Sequence, residues 1–201
     1  MRPLYTGIES PILVTDVTCA GLRYGGHCLP KDTAALSSLA SKTSYYFKIL
    51  KATIAAYRIQ CTLTVDRLRQ IMGSLKGKNI ALPGLASKPD TGDVIGAPSL
   101  DIARIRIAER ANLRAYDPAA MENDRSLLPE GITFAGDIYS ATANTGAIIL
   151  ATEWPEFVQA DWSRVKQGMV KPYVIFNRRN ALLALKLIDK GFIYFGVGRK
   201  F

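Results

Sequence analysis

At 201 residues, 48% of them apolar, the chain has room for one well-packed domain and part of a second. No apolar run reaches the roughly 18 residues a membrane span needs, and Met1-Arg2-Pro3 opens neither a signal nor a transit peptide. Three cysteines, Cys19, Cys28 and Cys61, are odd in number and scattered without a CxxC, so neither a disulfide framework nor a zinc site is indicated, and the expected location is the cytoplasm. The formal charge of +9 favours anionic partners, but its Lys and Arg residues form no aromatic-interleaved basic run and no nucleic-acid motif, which argues against DNA or RNA.

Residues 1–20, with Pro3, Gly7, Pro11 and the run Ile12-Leu13-Val14-Thr15, read as irregular chain or a short strand and form a divergent leader. The stretch Gly25-Gly26-His27-Cys28-Leu29-Pro30-Lys31-Asp32 then brings a thiol, a cation and a carboxylate beside two glycines. A thiol attacks as thiolate, so a working nucleophile wants positive charge or backbone donors nearby, and glycines let a substrate approach the backbone. The plain alternative is a loop cysteine that packs as a small hydrophobe, flanked by solvated turn residues. From Ser44 the pattern is helical: Leu50, Ile54, Tyr57, Cys61, Val65, Leu68 and Met72 recur at spacings of three and four. Ser44 serves as N-cap and Gly73 as terminator, giving a helix of about 40 Å. A stripe that long in so short a chain predicts partial cover by another chain; an ordinary core helix is the other reading.

Beyond Lys76-Gly77-Lys78 short apolar runs alternate with helices, the pattern of a parallel α/β domain. Strands are predicted at 80–85, 113–116, 147–151, 173–176 and 193–195, with a short one at Thr133 and Phe134. Helices are predicted at 99–111, 162–167 and 181–190. In such sheets ligands sit outside the carboxyl ends of the strands, which is where Ser87-Lys88, Asp117, Thr152-Glu153-Trp154 and Asn177-Arg178-Arg179 fall. Trp154 reads as core rather than ligand, and His27, the sole histidine, as a loop residue rather than a base. No metal-ligand cluster is present.

With Gly21 and Tyr24 included, the cysteine stretch resembles a segment of the UDP-glucose/GDP-mannose dehydrogenase family. Gly84 to Pro89 with Thr91 and Asp93, Ala115 to Pro118, Thr152 to Trp154 with Glu156 and Phe157, Phe176 with Arg179 and Asn180, and the closing Gly196-Val197-Gly198-Arg199 follow in the family's order. The resemblance implies an α/β fold: a divergent leader at 1–20, part of a central domain at 21–76 built on a long helix at a dimer interface, and a Rossmann-like UDP-sugar-binding domain at 77–201. It further implies NAD-dependent oxidation of the C6 alcohol of UDP-glucose to the carboxylate of UDP-glucuronate, using two NAD⁺. Cys28 would carry the thiohemiacetal and thioester, Asp32 would order and deprotonate the hydrolytic water, and Lys31 would lie against the cofactor. Gly21, Tyr24, Gly25 and Gly26 would wall the sugar, and Lys88 and Arg179 would contact the nucleotide sugar or its phosphates.

The sequence departs from the family at Arg23, His27, Leu29, Tyr57, Ser87, Ile95 and Arg178, the last in place of a glycine, and Pro83 falls inside a predicted buried strand. The family's glycine-rich dinucleotide turn and four upstream site residues have no counterpart in these residues. The expectation is therefore a substrate-side part that binds UDP or UDP-glucose, pairs with itself through the 45–73 helix and does not turn over alone. It would either work with a separately encoded NAD-binding half or be a non-catalytic, dimerising remnant.

Overall fold

The computed structural model describes residues 28–43, 45–121 and 125–198. Gly21, Tyr24, Gly25, Gly26, His27, the leader, Ser44 and Arg199 lie outside the described residues, so their expected roles are not placed by it.

Two helices lead. Helix α1, Cys28–Lys42, includes the cysteine, so the described part of the segment expected to be a loop is helical. Pro30 falls in the first turn, where its missing N–H costs nothing, and Ala34, Ala35 and Leu36 are strong helix formers. Helix α2, Lys48–Met72, runs 25 residues, about 37 Å. It starts later than the 45–73 reading because 45–47 stay outside it, with Phe47 at the N-cap making no side-chain cap bond. Gly73 ends it as expected, at φ 71°, its N–H donating to the Arg69 carbonyl.

The halves of α2 differ. Leu68 is wholly buried, and Cys61, Val65, Ile71 and Met72 pack with it against the sheet core. Arg69 forms an ion pair with Glu109 across to the sheet region and another with Asp66 on its own helix. Ile49, Ile59 and Leu63 are 77%, 51% and 47% exposed, as are Leu36 and Leu39 of α1 at 46% and 59%.

The rest is a six-stranded sheet, parallel throughout, in the order β3-β2-β1-β4-β5-β6. Its strands are β1 Asn79–Pro83, β2 Asn112–Tyr116, β3 Thr133–Phe134, β4 Ala147–Leu150, β5 Val174–Asn177 and β6 Ile193–Gly196. All six strand readings hold to within two residues, because continuous apolar runs buried on both faces mark parallel strands. β4 and β5 are buried along their whole length.

Pro83 does sit in a central strand, at its carboxyl end. Residue 83 has no N–H to give, and the β1–β4 ladder stops at Ala81↔Ile148 while β1–β2 runs on to Pro83↔Tyr116. The Ala151 N–H donating to the Pro83 carbonyl at 3.0 Å closes that edge again.

The helix expected over 99–111 is two short pieces, α3 Pro98–Ala103 and α4 Ile105–Ala108, interrupted at Arg104. Helix α5, Ile138–Thr142, and α6, Pro155–Val158, are too short to show a period. α5 carries a capping box, Asp137 with Ser140. Helix α7, Trp162–Gly168, matches its reading and is capped by Asp161. Helix α8, Ala184–Asp189, is shorter than expected, because Asn177 to Ala181 are held as a loop by the Asn177 side chain.

Candidate functional site

The strand order reverses between β1 and β4, where open α/β sheets hold their ligands at the carboxyl ends. Three of the singled-out segments meet there around one carboxylate. Asp117, at the end of β2 and wholly buried, accepts from the N–H groups of Leu85, Ala86, Ala119 and Ala120 at 2.7–2.9 Å and from Trp154 Nε1 at 3.1 Å. A buried carboxylate is tolerated only with such donors, and in turn it fixes both loops. The Thr152 hydroxyl donates to the Ala86 carbonyl, tying the β4 loop to the β1 loop. Gly84, at φ 91°, permits this approach: a Cβ there would lie 2.5 Å from Thr152 N. Trp154 is 8% exposed, core as read from sequence. The Tyr116 ring meets Phe157 edge-on, and its pKa is pushed up to about 12, first by desolvation and then by its hydrogen bond to Glu156.

The two candidate cations follow the β1 and β5 ends of the same sheet edge. Lys88, at the end of the β1 loop, is exposed. Arg179 follows β5, two strands or about 10 Å across the sheet. Its side chain, 10% exposed, meets Glu153 in a two-pronged ion pair, Nη2 to Oε1 at 2.7 Å with Nε to Oε2 alongside. Glu153 stood in a quoted motif without a role; the structure gives it one, holding the arginine fork. Arg178 turns the other way: its Nη2 donates to the carbonyl and Oε1 of Gln60 on α2, both at 3.2 Å, and burial pulls its pKa down to about 10. Asn177 and Asn180 shape the segment, Asn177 Nδ2 donating to the Tyr194 hydroxyl and Asn180 exchanging two bonds with Val197.

The second group of candidates sits apart on α1. Positions 28 and 32 are one helical turn apart along α1. Asp32 is exposed and lines a shallow groove with Leu36 and Leu39, and Lys31 is exposed beside it.

Residues 81–184 match the family model for the UDP binding domain of UDP-glucose/GDP-mannose dehydrogenases, and residues 10–57 match that for the central domain. The chain belongs to the UDP-glucose/GDP-mannose dehydrogenase family. It is 38% identical over 180 residues to the UDP-glucose 6-dehydrogenase TuaD of Bacillus subtilis, covering 90% of this chain and 39% of that protein. A Rickettsia bellii UDP-glucose 6-dehydrogenase is 34% identical over 183 residues, 90% of this chain and 42% of its own length. A UDP-glucose dehydrogenase structure from the hyperthermophilic archaeon Pyrobaculum islandicum superposes with a TM-score of 0.79 at 28% identity, over 90% of this chain and 39% of that one. The chain thus spans about two fifths of the relatives it matches.

The described residues of this family member do not fit a dinucleotide cofactor. A dinucleotide fold seats the pyrophosphate on a short glycine-rich turn after its first strand and gives an acid from the second to the ribose. Here Thr152 occupies the space over Gly84, and both oxygens of Asp117 are taken by protein donors.

Proposed function

We propose that this chain is the nucleotide-sugar-binding part of a UDP-glucose 6-dehydrogenase, acting on UDP-glucose to give UDP-glucuronate with NAD⁺. The observation that supports it most is the joining of the β1, β2 and β4 motif loops through Asp117 beside the Lys88 and Arg179 cations. In this reading Lys88 and Arg179 bind the UDP phosphates. Two cations suit a diphosphate, and the planar fork of Arg179 suits oxyanions, with Glu153 fixing its plane. Glu153 competes with the ligand for the guanidinium, and because the attraction of the cations for a diphosphate is charge on charge, binding weakens with salt.

Cys28 is the proposed nucleophile toward the aldehyde carbon, with Asp32 one turn on taking the proton of the hydrolytic water and Lys31 facing the cofactor. Gly21, Tyr24, Gly25 and Gly26 wall the sugar. The proposed division is a leader at 1–20, a partial central domain at 21–76 and the UDP-sugar domain at 77–201. The open face of α2 pairs two copies, and the cofactor seat comes from residues other than the described ones, such as a separately encoded NAD-binding half. A second reading, a non-catalytic UDP-sugar-binding and dimerising module, is favoured by the poor fit of the described residues to a dinucleotide.

The test is to incubate the purified chain with UDP-glucose and NAD⁺ and follow NADH absorbance, beside Cys28→Ser and a parallel UDP titration. The expected result is UDP binding without turnover. Turnover abolished by Cys28→Ser would reveal a cofactor seat in this chain; absence of UDP binding would sink both readings.

A further inference from the structure

Arg178 stands where the family resemblance expects a glycine, and the structure buries it: the residue is 6% exposed. Its Nη2 has only neutral acceptors, both on Gln60, and its Nε is buried with no acceptor among the described residues. Moving a guanidinium out of water is costly unless a negative charge or enough acceptors replace the lost hydration, and Nε has none among the described residues. The depressed pKa of Arg178 is caused first by desolvation, which outweighs an opposing charge interaction with Cys61.

What lies beside it is a cavity of about 540 Å³ between α2 and the carboxyl ends of β5 and β6. A second guanidinium lines the same space: Arg67, seven residues and two turns after Gln60 on the same face of α2, with its Cζ 5.9 Å from the centre of the Phe195 ring. One wall is the stacked pair Phe176 and Phe195, centroids 4.9 Å apart. Among the described residues no carboxylate side chain lines the cavity. Two cations lining one half-enclosed space with an apolar wall repel one another when it is empty, and an anion between them offsets that repulsion.

We infer that the cavity between α2 and the β5–β6 end is an oxyanion-binding site, taking a phosphate group between Arg67 and Arg178. The site does not depend on the assignment of Lys88 and Arg179 to UDP, since Arg179 turns away to Glu153. An ion bound there would tie the long helix to the sheet at the point where Gln60 already does, so occupancy also stiffens the joint between the two.

Inorganic phosphate is the probe, titrated calorimetrically into the full chain at constant ionic strength with chloride as the balancing anion. Saturable binding is expected. Arg67→Ala, on an exposed residue whose loss leaves folding intact, should weaken it at least about tenfold, as for a lost charge-assisted contact. Arg178→Gly should do the same, and Arg179→Ala should leave it unchanged. Competition by UDP would identify the phosphoryl group of a nucleotide as the natural occupant; phosphate bound independently of UDP would identify a free oxyanion. Failure of phosphate to bind saturably, or wild-type affinity in folded Arg67→Ala, would overturn the inference. Loss of phosphate binding in Arg179→Ala alone would assign the anion to the other site instead. Since UDP affinity is read separately, a failed UDP site and a failed phosphate site give different patterns.

Discussion

The sheet region from Asn79 to Gly196 and the two helices before it spend the same apolar residue types in opposite ways. In the sheet, Ile148, Ile149, Val174 and Ile175 are wholly buried, and even the polar Asp117, Thr152 and Asn177 are sealed in by partners within the same region. On the helices Leu36, Leu39, Ile49 and Ile59 face outward, and only the last turns of α2 reach a core. A motif placed by its own core can be read from one chain; a motif on an uncovered helix needs a surface from elsewhere. That is why the phosphate-side candidates have a defined floor, while Lys31 and Asp32 stand exposed on α1.

The largest expected effect comes from breaking the floor. Asp117→Ala would orphan up to five N–H groups, each costing on the order of 1–3 kcal/mol when buried unpaired, so a loss of about 4 kcal/mol or more is expected by denaturant unfolding. A smaller loss would mean that water substitutes freely and that the floor is not rigid.

Leu68→Ala and Ile49→Glu sharpen the contrast along α2. The first empties a buried site and should cost about 2–5 kcal/mol. The second, at a position 77% exposed, should cost a monomer less than about 0.5 kcal/mol yet shift the mass seen by light scattering from dimer to monomer. An unchanged mass would remove the proposed pairing through α2.

The smallest effect belongs to a surface cap in the sheet region. Asp137→Ala should cost about 1 kcal/mol at neutral pH through loss of the α5 cap. The Asp137 carboxyl is held below its ordinary value, chiefly by hydrogen bonds from Ser140. Its contribution is therefore present above the unfolded pKa and lost as pH falls through the lower folded value. The penalty of Asp137→Ala should shrink below about pH 4; a penalty independent of pH would mean that the cap acts without its charge.

How much of this was legible follows the same divide. Strands were readable because buried parallel strands are continuous apolar runs, and the segments at their ends because each ends on a chemically distinct residue. The break at Arg104 was not readable, since Ile102, Ile105 and Ile107 keep apolar character across it and only tertiary packing interrupts the helix. Helix α1 was hidden by the glycines and proline around Cys28, which signal turns. The two-pronged hold of Glu153 on Arg179 and the reach of Arg178 to Gln60, 118 positions away in sequence, depend on folding and leave no local pattern. The one available hint was the pair Arg178-Arg179 where a single arginine was expected.

The central claim is that the sheet region binds the phosphates of UDP through Lys88 and Arg179. Its most direct test is calorimetry of UDP against uridine, with wild type and Arg179→Ala, at low and high salt. The account predicts that UDP binds, uridine binds far more weakly, salt weakens UDP, and Arg179→Ala lowers UDP affinity about tenfold or more. Equal affinity for UDP and uridine, or an Arg179→Ala curve that overlays the wild type, would contradict it.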